Sequence, residues 1–225
     1  MTTITIVDSA AHPRASEYFG KFLSEPLRED FLQIDKNKIF PIPRMSLFDM
    51  MGTIVRNAQV GSNILTVSHG TGSGLRIPLI PTKPDHNQVL GGTEVELLLK
   101  YVAGKIDEDE FASSVDWGNA KKEVEEVKLA LPALKDLILK VRSRKLAKWV
   151  MRSCEIGGNT DSLQNLRLLL GATIACAPKK LDFYSFMRPE VLSAAEFDKF
   201  IKEHSVKISG EPPNRLAWIM AFDYK

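Results

Sequence analysis

The stretch "ILTVSHGTGSG" (residues 64–74) runs from apolar, partly β-branched residues into a histidine, and three glycines follow within five positions. Its front half, 62–68, reads as a buried strand that stops at His69. A second stretch has the same build. "AKWVMRS" (147–153) reads as a strand that leads straight into Cys154, with Gly157 and Gly158 behind it. The fold and the chemistry both depend on how these two strand ends are related.

Working outward, "TITIVDS" (3–9) reads as a first strand. Helical spacing is present at 14–33, through Tyr18, Phe19, Phe22 and Leu23. The prolines of "KIFPIP" (38–43) confine any strand there to an edge or its end. "SLFDMMGTIVRNAQ" (46–59) reads as a helix with Ser46 or Asp49 near its start. "LRIPLIPTKP", after the glycines, is expected to be extended because its prolines exclude a helix.

Residues 93–103 are helical by Val95, Leu98, Leu99 and Val102, and "IDEDEFASSV" is a short helix or turn. Residues 119–142 carry Val124, Val127, Leu131, Leu134, Ile138 and Val141 at helical spacing, with Pro132 as a kink or a new first turn. "DSLQNLRLLLG" (161–171) is expected to be a helix capped by Thr160 or Asp161 and closed by Gly171. "ATIACAP" (172–178), a helix at 189–203 and the strand "RLAWIMAF" (215–222) complete the order. Strands alternating with helices imply an α/β fold with a mainly parallel sheet flanked by helices on both faces. The 225 residues fit a single domain, 1–225, with 93–145 as a helical insertion. Right-handed crossovers gather the C-terminal strand ends at one edge, where α/β proteins bind ligands.

Composition narrows the function classes. Apolar residues are 44% and charged residues 26%, as in ordinary globular proteins. A net charge of +2 supplies no general attraction for nucleic acid or acidic membranes. The basic run "RSRKLAK" (142–148) lacks interleaved aromatics and reads as a solvated helix end. Neither a secretory leader nor a membrane span is expected, which points to the cytoplasm. The two cysteines, Cys154 and Cys176, are most simply reduced thiols there. No CxxC or HxxxH spacing provides a zinc site, and no metal or organic cofactor is expected.

The glycine-rich loop fails as a phosphate loop. A P-loop needs GxxxxGK[ST] ahead of a helix, whereas Gly70, Gly72 and Gly74 are followed by no lysine and by an extended segment. A GxGxxG dinucleotide fingerprint fails for the same reasons. The glycines instead allow a sharp turn and a close backbone approach.

The two strand ends bear a different chemistry. If the strands are neighbours, their axes lie ~4.8 Å apart, and imidazole and thiol flank one small substrate group. His69 then favours the Cys154 thiolate or takes its proton, and the thiolate attacks a carbonyl carbon. The N–H groups of Gly70 and Cys154 are the candidate oxyanion donors. Asp8, ending the first strand, is a further candidate at that edge. His12, His86 and His204 lack such a setting, and Cys176 sits inside a strand.

"ILTVSHGTGSG", "WVMRSCEIGG" and "LQNLRLLLGATIACAP" together resemble the caspase-like cysteine peptidases, a clan that includes caspases, metacaspases, legumains, clostripain, gingipains and separase. Their shared pattern is an apolar block ending in His-Gly, then one ending in a small residue and Cys. The resemblance covers about residues 62–180. It implies a caspase-haemoglobinase-like fold, His69 and Cys154 as the dyad, and Gly70 in the oxyanion hole. His69 and Cys154 stand 85 positions apart, wider than in compact members, and the extra length is the helical segment.

The resemblance also assigns the residue two before the cysteine, Arg152, to the P1 pocket. Strand alternation puts Arg152 and Cys154 on one face, and an arginine there favours an acidic P1 residue. Lys179, Lys180 and Asp182, in the loop after "ATIACAP", are candidates for another pocket wall. The expected partner is a protein or peptide substrate, with the helical segment as a possible site for a regulatory protein. The competing expectations are a non-catalytic module that kept the fold, and a thiol hydrolase or acyltransferase acting on a non-peptide ester or thioester.

Overall fold

The architecture is seen in a computed structural model, which describes residues 2–10, 35–81, 90–117, 123–153, 156–178 and 216–220. Its strands are β1 (Thr3–Asp8), β2 (Ile39–Ile42), β3 (Asn63–Val67), β4 (Gly70–Thr71), β5 (Gly74–Leu75), β6 (Leu90–Gly91), β7 (Lys148–Arg152), β8 (Ile174–Pro178) and β9 (Leu216–Met220). Its helices are α1 (Leu47–Asn57), α2 (Gly92–Val102), α3 (Glu108–Ser114), α4 (Val124–Ser143) and α5 (Thr160–Leu170).

Six strands form one sheet in the order β2-β1-β3-β7-β8-β9. The first five are parallel, and β9 joins β8 antiparallel. Pro41 sits in β2, the edge strand, where its missing N–H faces no partner strand. All six residues of β1 are buried, the mark of a parallel sheet covered on both faces.

Pleat alternation sorts the two faces. Ile4, Ile6, Ile64, Trp149, Met151, Ala175 and Ala177 join the large apolar cluster built with the helices. Val7, Leu65, Val67, Val150 and Cys176 are buried on the opposite face. All the helices that bury side chains in the described cluster meet the first face. The helices expected at 14–33 and 189–203 lie outside the described residues, so the expectation of helices on both faces is seen for one face.

Local signals explain most helix limits. α1 starts at Ser46, whose Oγ accepts from the Asp49 N–H while the Asp49 carboxylate accepts from the Ser46 N–H, a reciprocal capping box. Leu47, Met50, Met51 and Ile54 give it one buried stripe. α5 differs from expectation at its start. Its cap is Asn159, not Thr160 or Asp161, because the extended Asn159 carries its Oδ1 to the Ser162 N–H at 3.0 Å. It closes at Gly171 in the left-handed region, φ 66°, as expected.

Pro132 does not start a new helix; α4 runs through it. An interior proline costs about 3 kcal/mol. The buried stripe Val127, Leu131, Leu134, Ile138 and Val141 spans both sides of it and offsets that penalty through packing. Residues of α2, α3 and α4 share the core cluster with the sheet, so the 93–145 segment packs into the main core.

The sharp turn and close backbone approach expected of the glycines after His69 take a specific form. The glycine-rich stretch folds as a tight hairpin, β4 against β5, with Gly72 and Ser73 at the turn, and β5 pairs with β6 in a separate three-stranded sheet. Only beyond it does the chain run irregularly, its Pro78 and Leu79 carbonyls accepting from the Leu47 and Phe48 N–H groups at the start of α1. Gly74 allows the close approach of β5 to β6. Its φ is 157°, and a Cβ there would stand 2.1 Å from the Leu90 carbonyl oxygen. Gly74→Ala is therefore expected to lower stability by about 1–3 kcal/mol, as overpacking against backbone does. Chemical denaturation checks this, and an unchanged midpoint would contradict the tight β5–β6 approach.

Candidate active site

The site is built from the register of β3 with β7. The two strands are parallel neighbours, and Asn63 to Val67 pair in order with Lys148 to Arg152. Two residues past that ladder the sequence has His69 on one chain and Cys154, outside the described residues, on the other. The C-terminal end of β1 lies beside β3, and β1 is where the strand order reverses, with β2 on one side and β3 on the other. Such a switch point is where open α/β sheets form a ligand crevice.

His69 is exposed and stands two residues past the end of β3, with Ser68 between. Its backbone is held by the hairpin, because its carbonyl accepts from the Arg76 N–H at 2.9 Å. That bond makes His69 and Arg76 a hydrogen-bonded pair of the antiparallel ladder. The next pair, Gly70 with Leu75, is then a non-hydrogen-bonded one. The Gly70 N–H therefore points away from β5, toward the outer edge of the hairpin. The sequence contained no sign of this orientation beyond the glycine itself.

Cys154 lies outside the described residues, as do Lys179, Lys180 and Asp182. Its neighbours are described. Ser153 is buried at the end of β7, and Ile156–Gly158 form a 3-10 turn that leads to the Asn159 cap of α5. Arg152 is half-buried and shares a pleat face with Lys148 and Val150, opposite the helix-packed face.

Two serines that read only as flanking residues turn out to be in contact. Ser68 Oγ and Ser153 Oγ are hydrogen-bonded at 3.0 Å, both buried, and they immediately precede His69 and Cys154 in sequence. The only signal was a serine in the same relative place in both motifs. Asp8 ends β1 in the next position of this cross-strand row, on the helix-packed face with Ile4 and Ile6, and its Oδ1 accepts from the Ala10 N–H at 3.3 Å. It sits at the expected edge but on the opposite pleat face from Arg152. Among the described residues no group of His, Cys, Asp or Glu side chains is placed to hold a metal ion. No described helix is long and apolar enough to cross a membrane.

Cys176 occupies the environment of a buried structural thiol. It lies opposite Val150 in β8, and burial pushes its pKa from 9.0 up to about 12, against the opposing pull of Lys148 and Arg152. Desolvation outweighs both cations, so Cys176 stays a neutral thiol at neutral pH. Between about pH 9 and about pH 12 the folded state keeps a proton that the unfolded chain releases. This contribution to stability is complete below the unfolded value and is lost as pH rises through that window. The expected slope is up to about 1.4 kcal/mol per pH unit. Urea unfolding above about pH 9 checks this: Cys176→Ala is expected to flatten the decline, and an identical slope in both proteins would contradict the burial argument. No protein-family model and no curated protein sequence matches the chain.

Proposed function

We propose that the chain is a cysteine endopeptidase with a caspase-like fold, using Cys154 as nucleophile and His69 as its acid–base partner. The observation that carries this reading is the in-register parallel pairing of β3 and β7. Two residues past that ladder the sequence has a histidine on one strand and a cysteine on the other. The sheet spacing of ~4.8 Å is compatible with imidazole and thiol acting on one group.

In this reading, His69 takes the Cys154 proton as sulfur attacks the substrate carbonyl carbon. The C=O pair moves onto oxygen, and the resulting oxyanion accepts from the outward Gly70 N–H and from the Cys154 N–H. The imidazolium then protonates the departing amine as the C–N bond breaks, leaving a thioester. Water, deprotonated by His69, adds to the thioester and releases the acid, and the thiol regains its proton. No step needs a metal or a cofactor. The position of Cys176 supports the assignment by contrast, since burial holds its thiol protonated and leaves Cys154 as the other cysteine of the chain.

Arg152 supports an acidic P1 residue. It is half-buried on the pleat face that position 154 shares by alternation, and a guanidinium offers a carboxylate two parallel N–H donors. Lys179, Lys180 and Asp182, which follow β8 in sequence, complete the proposed pocket wall.

A peptide acyloxymethyl ketone with an acidic P1 residue tests the nucleophile. It is expected to label Cys154, and His69→Ala is expected to slow labelling by about 100-fold or more, the usual scale of a lost acid–base partner. Labelling no faster than a free thiol would instead assign the chain to a non-catalytic module. A peptide library tests the pocket: Arg152→Glu is expected to abolish or invert the acidic P1 preference, and an unchanged preference would remove Arg152 from it.

A further inference from the structure

We infer that the Ser68–Ser153 hydroxyl pair is a clasp that sets the spacing of His69 and Cys154, a positioning role that rests on the peptidase reading. The backbone ladder between β3 and β7 runs out just below the site. β3 ends at Val67 and β7 at Arg152, and the last rung among the described residues, from the Ser68 N–H to the Arg152 carbonyl, is long at 3.4 Å. The first strand turns into the β4–β5 hairpin and the second leads to the Ile156–Gly158 turn.

The hydroxyl bond is the cross-strand tie that continues where the backbone bonds stop. It stands at 3.0 Å, within hydrogen-bonding range, and its partners are 2% and 1% exposed, so water does not compete for either oxygen. Each serine is joined by one peptide bond to a proposed catalytic residue. Both belong to the helix-packed pleat face, with Thr66 and Met151, and not to the face of Arg152. The pair therefore acts on the dyad from behind, through the backbone, without touching substrate. Asp8 ends the same row on β1 and extends the buried polar line across three strands. A small loss of alignment between imidazole and thiol is enough to weaken proton transfer, which gives such a clasp its leverage.

The experiment is the pH dependence of Cys154 alkylation by iodoacetamide in the full chain. Wild type, His69→Ala, Ser68→Ala, Ser153→Ala and the double serine variant are compared. Each single serine variant strands one buried hydroxyl and can fail to fold. The double variant strands none, so it stands as the decisive protein. It is expected to fold, to alkylate about tenfold more slowly at neutral pH, and to shift its half-maximal pH upward, toward that of a free thiol. Folded single variants are expected to match the double, because the two hydroxyls act as one unit. A double variant with the wild-type rate and pH profile, whatever its melting temperature, would overturn the clasp while leaving the dyad intact. A wild-type thiol that reacts like a free one and ignores His69→Ala would overturn the peptidase reading, and the clasp with it.

Discussion

The in-register pairing of β3 with β7 is the constraint on which the rest of the molecule depends. Side chains alternate along a strand, so a slip of one residue would turn Met151 and Trp149 out of the helix-packed core and Arg152 into it. A slip of two would keep the faces but break both side-chain ties across the pair. Those ties are the bond from Trp149 Nε1 to Thr66 Oγ1 at 3.0 Å and the bond between Ser68 and Ser153. Two buried polar contacts thus specify an alignment that apolar packing by itself would fix only by face. A buried hydroxyl left without its partner costs about 1–3 kcal/mol, enough to disfavour the slipped states.

The hairpin after His69 does a second job that follows from the first. A parallel strand must leave the sheet at its C-terminal end, and a loose exit would leave the histidine poorly oriented. Here the chain folds back at once, the His69 carbonyl is bonded to the Arg76 N–H, and β5 is fastened to β6 at the start of α2. Gly91, the residue ahead of α2, donates its N–H to Glu94 Oε2 at 3.0 Å. The backbone beside the histidine is therefore tied to the helical layer. This is also why the 93–145 segment belongs to the core: its first helix anchors the sheet that holds the hairpin.

The two cysteines illustrate how environment assigns roles to one residue type. Cys176 lies in mid-strand with cations on its own pleat face, an arrangement that in water would favour a thiolate. Burial overrides those charges and raises the thiol instead. Cys154 stands two residues past the end of β7 in sequence, and its proposed role as nucleophile belongs to that position in the chain. Reactivity in this reading comes from where the sheet stops.

Much of this was present in the residues alone. The β-branched runs of β1 and β3, the apolar centre of β7, the Ser46 cap, the Gly171 close and the stripe of α4 each encode a local preference that the fold keeps. Alternation of strands and helices was enough for a mainly parallel α/β sheet, and the His-Gly and Ser-Cys strand ends were enough to single out a pair of positions. What periodicity cannot contain is adjacency. That β3 and β7 are neighbours, that β9 runs antiparallel, that the glycines make a hairpin, and that Ser68 meets Ser153 are facts about residues far apart in the chain. Local propensity acts over a few bonds, whereas register and hydroxyl pairing arise only when burial of the whole apolar cluster brings distant strands together.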